Sequence, residues 1–194
     1  MASNREVEIK FAVSNLPVLI RKLKTQGFTL VTRRTHELNT LYDLPGQPLR
    51  AKGSVLRLRQ YGSKWTLTYK DKGKAGRHKT RREIETVIQN GPAMDGILRR
   101  LGFQPSFRYE KFRSEWTDGQ GHVVLDETPI GIFGEIEGPG RWIDAVAKKL
   151  GISRSQYVTN SYIELFQQWK QETGSKAAHM LFSAVKPARR AKRK

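Results

Sequence analysis

From Glu6 to Phe11 the chain alternates ionic and apolar side chains, with Glu6, Glu8 and Lys10 interleaved between Val7, Ile9 and Phe11. A β-strand turns successive side chains to opposite faces. This segment is therefore a strand with two carboxylates and an ammonium on one side and hydrocarbon on the other. The split recurs along the chain. Arg57 and Arg59 interleave with Leu56 and Leu58, and Arg81, Glu83 and Glu85 with Arg82, Ile84 and Thr86. Lys111 and Arg113 flank Phe112, and Glu135 and Glu137 flank Ile136. Both signs of charge share the ionic face. A polyphosphate with its divalent metal needs this mixture, carboxylates for the metal and Arg or Lys for the phosphate oxygens.

The remaining segments read as further strands with a few helices. Strands are expected at Glu6–Val13, Phe28–Tyr42, Ser54–Tyr61, Lys64–Lys70, Arg81–Val87, Phe107–Trp116, His122–Thr128 and Gly131–Glu137. Asn15, Leu16 and Pro17 open a helix over Val18–Gln26 that Gly27 ends. Further helices are expected at Gly91–Leu101, Trp142–Leu150 and Asn160–Glu172, and a Gly/Lys loop at Asp71–Lys79. The connections are short, so about eight strands should pair antiparallel. Such a sheet either stays open with its ionic face in water or closes with the charges inside. Closure requires opposite charges to pair closely, with water or a ligand entering. The inner set balances: carboxylates Glu6, Glu8, Glu83, Glu85, Asp126, Glu135 and Glu137 against cations Lys10, Arg57, Arg59, Lys70, Arg81, Lys111 and Arg113.

Charge and composition narrow the partners. The 194 residues carry 36 Lys and Arg against 18 Asp and Glu, a net +18. Seven of the basic residues lie from Lys176 onward, where no acidic residue occurs, and the body without them is still +11. A field of that sign draws in anions. With no Cys there is neither a disulfide framework nor a thiolate metal site. His36, His78, His122 and His179 lack ligand spacing, which argues against zinc. No apolar run approaches the length of a membrane span, and the start lacks a signal-peptide core, so a cytoplasmic protein without membrane association is expected. Gly73–Thr80 resembles a phosphate loop only superficially, because His78 stands where that motif requires Gly. The division expected is a domain over residues 1–172 and a basic, disordered tail over 173–194. Nucleic acid is expected only as a nonspecific contact of that tail, and homodimerisation is left open.

In order, Glu6-x-Glu8-x-Lys10, Leu56-Arg57-Leu58-Arg59, the Thr66–Lys70 strand, Arg81-x-Glu83-x-Glu85, Lys111-Phe112-Arg113, Val124-Leu125-Asp126 with Gly134-Glu135-Ile136-Glu137, and Ser161-Tyr162-Ile163-Glu164-Leu165 resemble the CYTH domain family. That family comprises the triphosphate tunnel metalloenzymes, named for class IV adenylate cyclases and thiamine triphosphatases. The resemblance implies an α+β, mainly β fold, a closed eight-stranded antiparallel barrel with flanking helices and a tunnel for triphosphate. It implies that Glu6, Glu8, Asp126, Glu135 and Glu137 hold Mg²⁺ or Mn²⁺. It implies that Lys10, Arg57, Arg59, Lys70, Arg81, Lys111 and Arg113 grip the phosphates of a small triphosphate substrate, with Glu83 and Glu85 as further tunnel carboxylates. It implies catalytic roles for Lys111 and Lys10, and Tyr162 is expected to pack within its helix.

The activity expected is hydrolysis of inorganic triphosphate or of a small organic triphosphate, thiamine or nucleoside. The alternative within the same fold is a class IV adenylate cyclase that makes cyclic AMP and pyrophosphate from ATP. Bacterial cyclases of that type resemble one another in a His-Phe pair shortly before the first motif, where this chain has Ala2, Ser3, Asn4 and Arg5. The alternative from another class is a module that binds nucleic acid or polyphosphate without turnover. Its basic face should be poor in carboxylates, and seven inward carboxylates count against it.

Overall fold

Every strand expected from the alternation forms, and the first pairs with the last. The computed structural model describes residues 4–74 and 76–185. Its elements run β1 (Asn4–Ala12), α1 (Leu16–Thr25), β2 (Thr29–Asp43), α2 (Pro48–Ala51), β3 (Val55–Tyr61), β4 (Lys64–Lys70), β5 (Lys79–Ile88), α3 (Gly91–Arg100), β6 (Gln104–Thr117), β7 (His122–Thr128), β8 (Gly131–Glu137), α4 (Gly140–Leu150) and α5 (Tyr162–Thr173). The strands close antiparallel in the order β1-β5-β4-β3-β2-β6-β7-β8. Closure leaves no long unpaired edge between first and last strand.

Closing the sheet settles which face goes inside. The ionic residues line the interior, and the hydrophobic core lies outside the barrel wall. Outward-facing Ile9, Phe11, Val123, Leu125 and Ile136 are buried beneath Leu19 and Leu23 of α1 and Ile143, Val146, Ala147 and Leu150 of α4. On another side Tyr42 and Leu58 are covered by Leu98 of α3. At about 25 cal/mol per Å² of apolar surface, these helix–wall contacts drive closure. The ionic interior does not, because desolvation offsets most of its Coulomb gain.

Local signals set the helix ends. Asn15 caps α1 by accepting from the Val18 N–H at 3.1 Å, and Asn90 caps α3 by accepting from Ala93 at 2.9 Å. Gly27 follows α1 at φ +81°, a conformation that favours glycine. Ser161 and Glu164 form a reciprocal capping box that starts α5 at Tyr162, two residues later than the sequence pattern places it. α5 then sits over one end of the barrel. There Tyr162 and Phe166 pack on the inward-facing apolar residues Leu41, Phe107, Tyr109 and Phe133.

The expectation of a disordered tail after Gly174 needs correction over its first part. Ala177, Met180 and Val185 join the cluster beneath α5, with Met180 fully buried. β7 pairs only with Phe112–Thr117, which leaves the first half of β6 without a strand on that side. Met180 fills part of the gap, donating to the Arg108 carbonyl and accepting from the Glu110 N–H, both at 3.0 Å. Apolar side chains in a basic stretch and an unpaired strand edge together order it. Residues 186–194, where the same expectation continues, lie outside the described residues.

One wall contact makes a sharp prediction. Gly134 on β8 lies opposite Phe11 on β1, and a Cβ placed there would come within 2.1 Å of the Phe11 ring. Gly134→Ala must displace that ring from the α1–α4 core. It is expected to destabilise the protein by about 1–3 kcal/mol in thermal or denaturant unfolding.

Candidate active site

The inward residues of the eight strands enclose a chamber of ≈ 530 Å³ lined by eight cationic and six carboxylate side chains. Strand register pairs many of them. Lys10 lies opposite Glu135, Glu6 opposite Arg81, Lys70 opposite Glu83 and Arg113 opposite Asp126. Directly opposite positions place Cβ atoms within contact range. Ion pairs across the strands are the direct result.

Two clusters form. In the first, Asp126 is fully buried and holds the Arg113 guanidinium with both oxygens, at 2.7 Å to Nε and 2.6 Å to Nη2. The same carboxylate accepts from Lys111 Nζ at 2.8 Å and from the Tyr162 hydroxyl at 2.6 Å. Arg113 also reaches Glu135 at 2.6 Å, and Lys10 donates to Glu135 at 2.5 Å. In the second, Lys70 contacts Glu83 at 2.7 Å and Glu6 at 3.1 Å. Arg59 pairs with Glu85 at 3.2 Å, and Arg57 lies 3.6 Å from Glu85 and 3.8 Å from Glu83.

The titration behaviour follows from this crowding. Burial pulls the Lys10 ammonium down, but Glu135 beside it outweighs that and holds it above the ordinary lysine range. Burial likewise pushes Glu135 up, and Lys10, Arg113 and Lys111 hold it well below the carboxylate range. Glu137 is the exception. Burial and the neighbouring Glu6, Glu8 and Glu135 carboxylates push it up to about 7. Among the described residues no hydrogen bond or ion pair holds its side chain, and it lies directly opposite Glu8.

The sequence-derived set is thus brought together. All seven expected cations line the chamber, as do Glu6, Glu8, Glu83, Glu85, Glu135 and Glu137. Asp126 is on the inner face opposite Arg113, beneath the chamber lining, and its oxygens accept from Arg113, Lys111 and Tyr162, so it anchors those cations. Tyr162 does more than pack its helix. Its hydroxyl binds Asp126, and its ring carries the Lys10 and Lys111 ammonium groups, each 4.7 Å from the centroid. Among the described residues no three His, Cys, Asp or Glu side chains converge with metal-ligand spacing. What fits a divalent cation best is the facing pair Glu8 and Glu137, because a cation there would relieve the repulsion that raises Glu137.

Several residues in or behind the chamber lining escape the sequence reading. Glu37 is fully buried and faces Lys111 at 3.5 Å and Arg113 at 3.8 Å, and it accepts from Asn39 at 2.8 Å. Burial pushes Glu37 up, yet Lys111 and Arg113, backed by Arg57 and Arg59, hold it at about 2. Glu37 and Asn39 alternate with Leu38, but neighbouring His36 and Thr40 blur that signal. Tyr109 and Lys79 also line the chamber, and each precedes an assigned cation by two residues, which the strand period alone could have flagged. Arg57 Nε and Arg81 Nε are buried donors with no hydrogen-bond acceptor, a need that an anion in the chamber would meet.

The comparisons agree with the architecture. A Methanocaldococcus jannaschii protein provisionally named an adenylate cyclase is 26% identical over 171 residues, covering 82% of this chain and 97% of that protein. The PH1012 protein of Pyrococcus horikoshii superposes with a TM-score of 0.71 at 26% identity, covering 82% of this chain and 98% of that one. A Hippeastrum protein provisionally named an adenylyl cyclase, and described as having a dominant triphosphatase activity, shares the fold with a TM-score of 0.61 at 20% identity, covering 84% and 95%. No helix of the described residues is long and apolar enough to cross a membrane. The CYTH domain profile matches residues 4–164, from the first strand of the barrel into the helix that covers its end, and the chain belongs to the CYTH domain family.

Proposed function

We propose that the chain is a divalent-metal-dependent triphosphatase, acting in the cytosol on inorganic triphosphate or a small organic triphosphate. The observation that carries this reading is a chamber whose lining holds eight cations and six carboxylates, with two buried guanidinium donors, Arg57 Nε and Arg81 Nε, that lack hydrogen-bond acceptors. Guanidinium groups suit the paired oxygens of phosphate, and ammonium groups add point charge. Arg57, Arg59, Arg81, Arg113, Lys10, Lys70 and Lys111 bind and neutralise the phosphate oxygens. Glu37, Asp126 and Glu135 set the positions of Lys10, Lys111 and Arg113 in advance, and Glu6, Glu83 and Glu85 those of Arg57, Arg59, Lys70 and Arg81. Catalysis of phosphoryl transfer is mainly such positioning and charge stabilisation. Lys111 and Lys10, positioned over the Tyr162 ring, stabilise charge on the transferred group. Glu6, Glu8 and Glu137 would hold Mg²⁺ or Mn²⁺, which supplies Lewis-acid polarisation and a more acidic water.

The test is product analysis with inorganic triphosphate, thiamine triphosphate and ATP, each with Mg²⁺ and with Mn²⁺. Metal-dependent orthophosphate release, lowered about a hundredfold in Glu8→Ala/Glu137→Ala, is the expected result. The provisional name of the M. jannaschii relative favours a second reading as an adenylate cyclase. Cyclic AMP with pyrophosphate from ATP would establish that reading instead. Tight triphosphate binding without any product would leave a binding module.

A further inference from the structure

The family match ends at residue 164, and residues 177–185, past α5, lie beyond it. They run alongside the half of β6 that β7 does not reach, and they grip three consecutive residues there. Met180 donates to the Arg108 carbonyl and accepts from the Glu110 N–H, so it brackets Tyr109. The Arg108 N–H donates to His179 Nδ1 at 3.3 Å. Glu110 closes the contact with both carboxylate oxygens. Its Oε1 accepts from the Phe182 N–H at 2.6 Å, and its Oε2 lies 2.8 Å from His36 Nε2. The Phe182 ring packs on Phe112 with centroids 5.4 Å apart, and the Arg34 guanidinium lies 3.6 Å over that same ring.

The residue bracketed in this way belongs to the chamber. Tyr109 lines it, with the phenol beside the Arg57 guanidinium. Its ring stacks on Tyr162 at 5.8 Å, and Tyr162 carries Lys10 and Lys111. Lys111 is also the next inward residue of the same strand. Along its other edge this stretch of β6 pairs with β2. A strand held along one edge keeps freedom to twist and fray, and one held along both fixes the direction of each side chain. Sealing the apolar cluster under α5 requires Met180 and Val185 alone. The polar grip on Arg108 and Glu110 serves the direction of Tyr109 instead. We propose that Glu110, with the segment it holds, is a positioning residue for the phosphate-gripping cations. It fixes Tyr109, and through the Tyr109–Tyr162 stack it fixes Lys10, Lys111 and Arg57, an assignment that rests on the triphosphate reading above. Glu110 itself touches no substrate, because its side chain leaves β6 on the face opposite to Tyr109 and Lys111.

Equilibrium binding tests this without depending on turnover. The imido analogue of inorganic triphosphate is titrated calorimetrically, with Mg²⁺, into the full chain and into full-length variants. Phe182→Pro deletes the N–H given to Glu110, at an exposed position where the fold tolerates the change. Glu110→Ala and Phe182→Pro should each weaken binding about tenfold, the cost of cations held slightly out of place. Together they should lose no more than about twofold further, because both break one contact. Glu110→Gln keeps an acceptor for Phe182 and should stay within about threefold of wild type. Asn90→Ala also destabilises the protein, by removing the cap of α3, but lies off β6 and should leave the affinity within about twofold. Wild-type affinity in both Glu110→Ala and Phe182→Pro, or an equal loss in Asn90→Ala, overturns the proposal and leaves the segment a structural seal. The expected losses in a protein that binds the analogue but hydrolyses no triphosphate refute the triphosphatase and uphold the positioning role. Wild-type protein that does not bind the analogue refutes both.

Discussion

Asp126→Ala is expected to destabilise the protein by about 3–5 kcal/mol, the cost typical of removing one partner from a buried ion cluster, and to lower its melting temperature by roughly 10 °C. The carboxylate is fully buried and receives four hydrogen bonds, two from Arg113 and one each from Lys111 and Tyr162. Removing it leaves two buried cations to share Glu37 and Glu135, and strands the Tyr162 hydroxyl that ties α5 to the wall. Asp126→Asn keeps the volume but not the charge. It should recover part of the packing and little of the electrostatics, which separates the cavity from the ion cluster. Glu137→Gln is the control, because that side chain has no ion pair to lose. Calorimetric unfolding of the three variants without metal decides the matter. If Asp126→Ala unfolds no earlier than Glu137→Gln, Asp126 is no anchor for the cations around it.

Why the sequence places residues correctly on the wall and yet does not reveal the partners of Asp126 and Tyr162 has a physical answer. The period of a strand is two, so Glu6, Glu8 and Lys10 identify their own face without any knowledge of neighbours. The role of each charge depends on what stands across from it, and that is register. Glu8 faces Glu137 and repels it, while Arg113 faces Asp126 and captures it. Before pairing is known, the two acids look alike. Tyr162 has the opposite difficulty. Its local pattern is that of a helix start, and its chemistry appears only because α5 docks across one end of the barrel and brings the phenol to Asp126. Met180 is missed for a similar reason, since its pairing partner is a strand edge some 70 residues earlier, created by the early end of β7.

Without metal, Glu137 should make the protein less stable as pH rises. Its folded-state pKa of about 7 lies above the ordinary 4.5, so between these values the folded state binds more protons than the unfolded state. Stability contributed by this group is thus full below about pH 4.5 and falls until about pH 7, after which the loss is constant. The difference corresponds to on the order of 3 kcal/mol. Glu137→Gln removes the titration. In chelator, the variant should match wild type near pH 5 and melt above it near pH 8. Mg²⁺ or Mn²⁺ should reverse the order. Because only the ionised carboxylate is a ligand, the metal should raise the wild-type melting temperature at pH 8, much less at pH 5.5, and barely that of Glu137→Gln. Were metal to stabilise the wild type equally at both pH values, or the variant as strongly as the wild type, the cation would not sit at Glu137. The crowding among Glu6, Glu8 and Glu137 would then need another source of relief, and Lys79 and Arg81, which already face Glu8 and Glu6 at 3.9 and 3.7 Å, are nearby groups of the right sign.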